Sequence, residues 1–172
     1  MALLVGCAKE DGNGDFGLAY IYMPQAATSG NDDGRYEVPS GKEMTYNFNV
    51  KDGKLNVFLG VVRSGKLSSE GFSVDVKVLT DTTNQIIASG DIEDAMLLPA
   101  TIYSLPNKVS VSDGYWATFY LLVDTTAIKN DAYTGKNLVL VVGIANPDKF
   151  ELSNKNICTV VIIDVDAIRK LL

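Results

Sequence analysis

Residues 72–78 read Phe-Ser-Val-Asp-Val-Lys-Val, and this stretch decides the fold class. Apolar and polar side chains alternate along it, a period of two that is typical of a strand with one buried face and one face in water. An earlier segment repeats the pattern, since Met44, Tyr46, Phe48 and Val50 alternate with polar residues. A helix would place apolar residues three or four positions apart, so we predict strands with these side chains buried.

Turn signals separate the strand candidates. Asp52-Gly53 stands between Lys51 and Lys54, and an Asp-Gly pair between two apolar runs is a strong hairpin signal. Residues 138–145 are apolar on both faces, which predicts a central strand. Further strands are predicted at 19–23, 55–63, 109–111, 116–123 and 157–164. Helix is expected only in short pieces, at 92–97, 125–130 and 167–172.

These patterns predict an all-β protein: an Ig-like antiparallel β-sandwich of two sheets with little helix. The length of 172 residues fits one domain with short tails. We divide the chain into a lipoprotein signal remnant and flexible tether at residues 1–17, one sandwich domain at 18–166, and a C-terminal extension at 167–172.

The composition excludes several classes of function. The sequence has no histidine, which rules out Ser-His-Asp and Cys-His catalysis and removes the commonest metal ligand. Fifteen basic and twenty-one acidic residues give a net charge of −6 with no basic cluster, so nucleic acid is not an expected partner. We expect no cofactor, no metal and no enzymatic activity.

The N-terminal residues Met-Ala-Leu-Leu-Val-Gly-Cys resemble the lipobox of bacterial lipoproteins. In that family the chain is cut before the cysteine, which is then acylated, so the resemblance implies lipidation of Cys7. Acyl chains hold a protein on a membrane because each buried methylene contributes about 0.8 kcal/mol. Residues 9–11, Lys-Glu-Asp, resemble the signal that sends Bacteroidetes lipoproteins to the outer face of the outer membrane. The alternative for residues 3–7 is a short buried strand.

Three acidic segments are candidate sites. The spacing of residues 11–15 resembles the start of a calcium loop, but Phe16 and Tyr22 stand where that loop needs Gly and Glu. The acids of residues 91–94 are dense enough for the carboxylate pair of glycoside hydrolysis, yet a turn followed by a helix start explains them as well. Residues 31–33 fit a solvated loop. We predict no catalytic residue and no metal ligand in these segments.

The strand at 116–123 carries the candidate ligand-binding residues. An inward set of Ala117, Phe119, Leu121 and Val123 turns Trp116, Thr118 and Tyr120 to the opposite face. Trp116 is the single tryptophan, and Tyr120 lies about 13 Å further along the strand, so the two rings could stack on successive sugars. The alternative is that a loop covers this face or that the rings pack in cross-strand pairs.

Residues 97–114 carry a family resemblance through Leu-Leu-Pro, Ile-Tyr-Ser-Leu-Pro, Val-Ser-Val and Asp-Gly. Together with Tyr-Ile-Tyr at 20–22 and the segment 135–145, they resemble the domain of unknown function that forms the Ig-like N-terminal module of Bacteroidetes surface proteins. Some of those proteins carry a chitinase-like endo-β-N-acetylglucosaminidase domain further on. The resemblance covers most of residues 18–165 and implies a module without the family's catalytic residues.

We therefore expect a lipid-anchored protein of the outer membrane, exposed at the cell surface, that binds a polysaccharide or other glycan or assists its capture. Membrane contact is expected through the lipid anchor only. The second hypothesis is a structural or assembly module, fimbrillin-like or a spacer, that binds another surface protein through an edge strand. Exposed Trp116 and Tyr120 would favour glycan binding, whereas a long uncovered edge strand would favour assembly.

Overall fold

The computed structural model describes residues 19–28, 34–65 and 70–172, and within them the chain folds into two six-stranded sheets. The strands are β1 (Tyr20–Tyr22), β2 (Arg35–Val38), β3 (Phe48–Lys51), β4 (Lys54–Arg63), β5 (Phe72–Val78), β6 (Ala95–Leu97), β7 (Tyr103–Ser104), β8 (Lys108–Val111), β9 (Trp116–Asp124), β10 (Asn137–Ala145), β11 (Glu151–Leu152) and β12 (Cys158–Asp164). The helices are α1 (Pro24–Thr28), α2 (Thr80–Ser89), α3 (Thr125–Ile128) and α4 (Val165–Arg169), with one 3₁₀ turn at Asp131–Tyr133. The expected all-β sandwich of two sheets is confirmed.

The first sheet has the order β11-β1-β4-β9-β7, and β3 pairs with β4 beside β1. The second sheet has the order β2-β12-β10-β5-β8, and β6 pairs with β10. Most neighbours are antiparallel, whereas β1 with β11, β6 with β10 and β2 with β12 are parallel. The predicted hairpin joins β3 and β4, with Asp52 at φ 52° and Gly53 at φ 71°. Both values fit a turn that needs positive φ at its two central residues.

The core lies between the sheets and follows the predicted alternation. Phe72, Val74 and Val76 of β5 are buried, whereas Lys77 on the opposite face of the strand is exposed. Strand β10 lies between β12 and β5 and is buried on both faces, which confirms its central position. Helix α4 adds Val165 and Ile168 to the same core. The inner core therefore draws on both sheets and on the C-terminal helix.

A second apolar cluster lies on the outer face of the second sheet. Val139 and Val141 of β10 pack there with Val160 and Ile162 of β12, and α2 covers them with Ile86 and Ile87. Sequence analysis did not predict α2 and wrongly expected helix at residues 92–97, where β6 forms instead. The reason is tertiary: α2 gains stability from covering β10, while its Thr-rich first turn has weak intrinsic helix propensity.

The expected strand from Met44 to Val50 is also shorter than predicted. Residues before β3 form a turn in which the backbone N–H of Thr45 donates to the carbonyl of Lys42 over 2.6 Å. Met44 is consequently 95% exposed, and Val50, near the end of the hairpin, is 46% exposed. Phe48 alone of the alternating apolar set is fully in the core, so the burial predicted for Met44 and Val50 was wrong.

Side chains from helices close a gap in each sheet. On one edge of β10, β6 pairs with residues 137–139 and β5 pairs with residues 142–145. The backbone N–H of Val141 lies between these two segments and donates to Thr83 Oγ1 of α2 over 3.0 Å. Thr83 is fully buried, and its hydroxyl donates in turn to the carbonyl of Leu79 over 2.9 Å. A buried amide on the central strand therefore depends on one hydroxyl.

We expect Thr83→Val to lower the free energy of unfolding by about 1–3 kcal/mol, because the shape is kept while the buried N–H of Val141 loses its acceptor. Chemical denaturation measures this change, with Thr83→Ser as the control that keeps the hydroxyl. Equal stability of Thr83→Val and the unchanged protein would contradict the assigned role.

Candidate functional site

The outer face of the first sheet presents an aromatic surface made by β4 and β9. In the antiparallel register, Trp116 lies opposite Val62, Thr118 opposite Gly60, and Tyr120 opposite Phe58. These positions alternate with the inward residues Phe119, Leu121 and Val123, as the sequence predicted. We call the side chains of Phe58, Val62, Trp116, Thr118 and Tyr120 the aromatic face.

The two predicted rings of the aromatic face meet solvent. Trp116 is 57% exposed and Tyr120 is 42% exposed, and Thr118 between them is exposed as well. Tyr120 also contacts Phe58 edge to face, with ring centroids 5.7 Å apart and an interplanar angle of 69°. The rings stand about 13 Å apart along β9, because four residues of a strand span that distance. The face is therefore open, and one cross-strand aromatic pair supports it.

A groove of about 300 Å³ lies between the two rings. Gly60 forms its floor because it carries no side chain where its neighbours along β4, Phe58 and Val62, project outward. Helix α1 contributes Pro24 and Gln25 to the wall opposite β9. We call this depression the Gly60 groove.

Gln25 holds α1 against the sheet at this point. Strand β3 pairs with β4 up to Val57 and β1 pairs with it from Val62, so Gly60 falls in the gap between them. The backbone N–H of Gly60 donates instead to Gln25 Oε1 over 3.2 Å. The same side chain therefore completes the sheet and lines the groove.

A second depression of about 330 Å³ lies on the other side of Tyr120. Its walls include Leu105 and Pro106, which follow β7, together with Phe119 and Leu122 of β9. Tyr120 thus forms a ridge between two shallow sites, and the two sites together extend the aromatic face across the sheet.

An ion pair lies at the far end of β9 from Trp116. Lys54 Nζ and Asp124 Oδ2 form an ion pair at 2.8 Å, with about two fifths of each side chain exposed. Hydrogen bonds from Lys54 and from the backbone N–H groups of Ala127 and Thr126 lower the pKa of Asp124. Asp124 therefore stays ionised, and its carboxylate interacts with Lys54 and with the backbone N–H groups of the first turn of α3.

The acidic segment at 91–94 does not form a site with the aromatic face. Asp94 pairs with Lys136 at 2.9 Å, and Asp91 accepts a hydrogen bond from Ser89 Oγ at 2.8 Å. Asp91 and Glu93 also line a polar cavity of about 350 Å³ on the second sheet, beside Arg35 and Glu37. No group of three or more His, Cys, Asp or Glu side chains that could hold a metal occurs in residues 19–28, 34–65 and 70–172.

Several residues of interest lie outside the described residues: Cys7, the calcium-like segment 11–15 and the acidic segment 31–33. Within the described part of the chain, no helix is long and apolar enough to span a membrane.

Sequence reasoning placed Trp116, Thr118 and Tyr120 on one face but missed Gly60 and Gln25. The signal for Gly60 was present, because an isolated glycine within an apolar strand often marks a close approach of another segment. Gln25 offered no such signal, since its importance depends on the gap between β1 and β3.

Together, the two mixed sheets and their exposed aromatic face define a β-sandwich domain with a surface groove. Solved structures share this fold. One is a candidate carbohydrate binding protein from Bacteroides ovatus, at 13% identity and TM-score 0.54, matching 84% of this chain and 36% of that one. Another is a Bacteroides ovatus protein of unknown function, at 14% identity and TM-score 0.59, matching 84% of this chain and 46% of that one.

A third structure, a multidomain protein including DUF1735 from Bacteroides ovatus, matches at 15% identity and TM-score 0.57 over 84% of this chain and 44% of that one. The chain therefore spans less than half the length of these three proteins. Neither a protein-family model nor a curated protein matches the sequence. The expected relation to a Bacteroidetes domain of unknown function is supported at the level of the fold.

Proposed function

We propose that this chain is a non-catalytic carbohydrate-binding domain that acts at the bacterial cell surface. The observation that carries the proposal is the exposure of Trp116 and Tyr120 on either side of the Gly60 groove. An aromatic ring stacks on the apolar face of a sugar, and each such contact contributes about 1 kcal/mol. Two contacts give weak affinity, which many copies on one membrane raise through multivalency.

The structural neighbours agree with this proposal at a general level. They are longer proteins from Bacteroides, and one of them is a candidate carbohydrate binding protein. We propose that the domain works as an accessory module beside other domains or proteins that process glycans, as the resemblance to the N-terminal module of endo-β-N-acetylglucosaminidase-type proteins implies. Catalysis has no part in its role.

Affinity gel electrophoresis tests the proposed function. The 172-residue chain, expressed without export so that Cys7 stays unmodified, is run through native gels that contain xyloglucan, galactomannan, mixed-linkage glucan, polygalacturonate or chondroitin sulfate. We expect at least one polysaccharide to retard the chain relative to a reference protein of similar size. Unchanged mobility in every gel would contradict glycan binding.

We further propose that the protein is anchored by lipid at Cys7, in the outer membrane. When the chain is produced with an export signal in a Gram-negative host, we expect it to incorporate labelled palmitate and to partition into detergent. Cys7→Ser removes the acyl acceptor and should abolish both results. Cys158→Ser is the matched control and should leave both unchanged, so palmitate labelling that persists in Cys7→Ser would overturn the assignment.

The assembly hypothesis receives less support. Among the strands that the structure describes, those at the ends of each sheet have two residues (β7 and β11) or four (β2 and β8). These short strands offer few backbone groups for pairing with another chain, although β7 covers only Leu122 and Val123 of β9 and leaves residues 116–121 with a described strand partner on one side alone. A protein partner would be sought along this part of β9 if all polysaccharides fail.

A further inference from the structure

The amide group of Gln25 is fixed in orientation by the sheet. A carboxamide has one accepting oxygen and one donating NH₂ group, and the N–H of Gly60 can bond only to the oxygen. That bond is 3.2 Å long, and it leaves Nε2 as the end of the amide that does not bond to β4. Nε2 then lies 3.8 Å from the point where a Cβ on Gly60 would stand, over the floor of the groove.

Two polar atoms of the groove, Gln25 Nε2 and Thr118 Oγ1, face its interior. In the described part of the chain, Gln25 Nε2 donates to no protein acceptor, and Thr118 Oγ1 takes part in no protein hydrogen bond. Thr118 lies directly opposite Gly60 in the register, so its hydroxyl and the Gln25 amide face the same depression. A half-buried donor and a hydroxyl therefore stand between two stacking rings.

Among the described residues, the groove is lined by no acidic or basic side chain. Its lining consists of Pro24, Gln25, Phe58, Leu59, Gly60, Val61, Val62, Trp116, Ala117, Thr118 and Tyr120. At the far end of β9, the charges of Lys54 and Asp124 neutralise each other in an ion pair. With a net charge of −6 on the whole chain, a polyanion would meet repulsion, and the described lining of the groove offers no cation to offset it.

We propose that the Gly60 groove selects neutral polysaccharides, with Gln25 Nε2 donating a hydrogen bond to an oxygen of the sugar that lies between Trp116 and Tyr120. This inference rests on the proposed function and adds a specificity-determining residue and a ligand class to it. Trp116 and Tyr120 stack on the apolar faces of sugars. Gln25 and Thr118 form hydrogen bonds with the hydroxyl groups of the sugar that lies between the two rings. Direct contacts to hydroxyls discriminate among sugars, because a sugar that lacks the matching oxygen leaves the donor unpaired.

The variant Gln25→Glu tests the role of the donor. A carboxylate still accepts from the N–H of Gly60, so the sheet stays closed, but it cannot donate to a sugar oxygen, and the sugar oxygen that accepted from Nε2 loses its donor. We expect about a tenfold weaker apparent affinity in the polysaccharide gels and a melting temperature within a few degrees of the unchanged chain. Ala27→Glu is the matched control, because it places the same charge on an exposed residue of α1 outside the groove lining.

A second variant tests the groove without changing its hydrogen bonds. Gly60→Ala puts a methyl group on the floor, where it would meet the carbonyl oxygen of Ala117 at 3.3 Å and Pro24 Cγ at 3.6 Å. A shift of a few tenths of an ångström accommodates the methyl, so the domain should fold while retardation by polysaccharide falls several-fold.

The outcomes separate this inference from the proposed function. The inference is supported if xyloglucan, galactomannan or mixed-linkage glucan retards the chain and polygalacturonate and chondroitin sulfate do not. This retardation must also be weakened in Gln25→Glu and in Gly60→Ala and be kept in Ala27→Glu. Preference for the two acidic polysaccharides overturns it. Undiminished affinity of folded Gln25→Glu also overturns it and leaves the proposed function standing if Trp116→Ala no longer binds. Absence of retardation for the unchanged chain overturns both.

Discussion

Replacing Trp116 with alanine is expected to abolish retardation by polysaccharide while moving the melting temperature by no more than a few degrees. The indole is 57% exposed, so its removal takes little from the core, and exposed substitutions usually change stability by about 0.5 kcal/mol or less. Loss of one stacking contact costs about 1–1.5 kcal/mol of binding energy, or roughly tenfold in affinity. For a weak ligand, this loss brings binding below detection in a gel.

Tyr115→Ala provides the matched control for Trp116→Ala. Tyr115 is 42% exposed and adjacent in sequence, but it is not part of the Gly60 groove. Its replacement also removes an exposed ring, so affinity for polysaccharide should be unchanged. If Trp116→Ala unfolds the chain, or if both variants bind as well as the unchanged chain, the aromatic face is not the binding site.

The second large effect is expected in the core. Val74→Asn should lower the free energy of unfolding by about 3–5 kcal/mol, because a fully buried apolar side chain is lost and an amide without partners takes its place. This is a large share of the total stability of a typical domain, about 5–15 kcal/mol. Chemical denaturation monitored by the fluorescence of Trp116 measures the change.

Lys77→Asn on the same strand is the control for Val74→Asn. Lys77 faces solvent, and in its only described ion pair, with Asp75 at 3.3 Å, the Lys77 side chain is 49% exposed, so the pair contributes little. We expect a change within about 1 kcal/mol. Similar losses for the two variants would show that β5 is not oriented as the sandwich requires.

The elements that sequence analysis predicted correctly are those whose signals are local. The alternation of residues 72–78 fixes which side chains of β5 face the core, and the Asp52-Gly53 pair fixes the β3–β4 hairpin. The doubly apolar segment 138–145 identified the central strand, because a strand covered on both sides has no polar face. The same alternation turned Trp116, Thr118 and Tyr120 outward together.

The features that sequence analysis missed depend on contacts between distant segments. Helix α2 forms because β10 offers an apolar outer face for Ile86 and Ile87, which its own sequence does not reveal. Met44 follows the alternation but lies in a turn, beyond the point where β4 pairs with β3. Gln25 lines the groove only because the two strands paired with one edge of β4 leave Gly60 between them.

The residues of α1 have separate structural roles, so their substitution would affect the core, the sheet and the groove differently. Ala26 is buried in the core, and Gln25 uses one end of its amide to seal β4, whereas Ala27 and the other end of that amide remain available. Substitutions at positions 24 and 25 that keep an acceptor for the N–H of Gly60 would alter what the groove accepts without rebuilding either sheet. Natural variants and engineered libraries would thus be able to retarget the domain through two side chains of one short helix that lies between β1 and β2 in the chain.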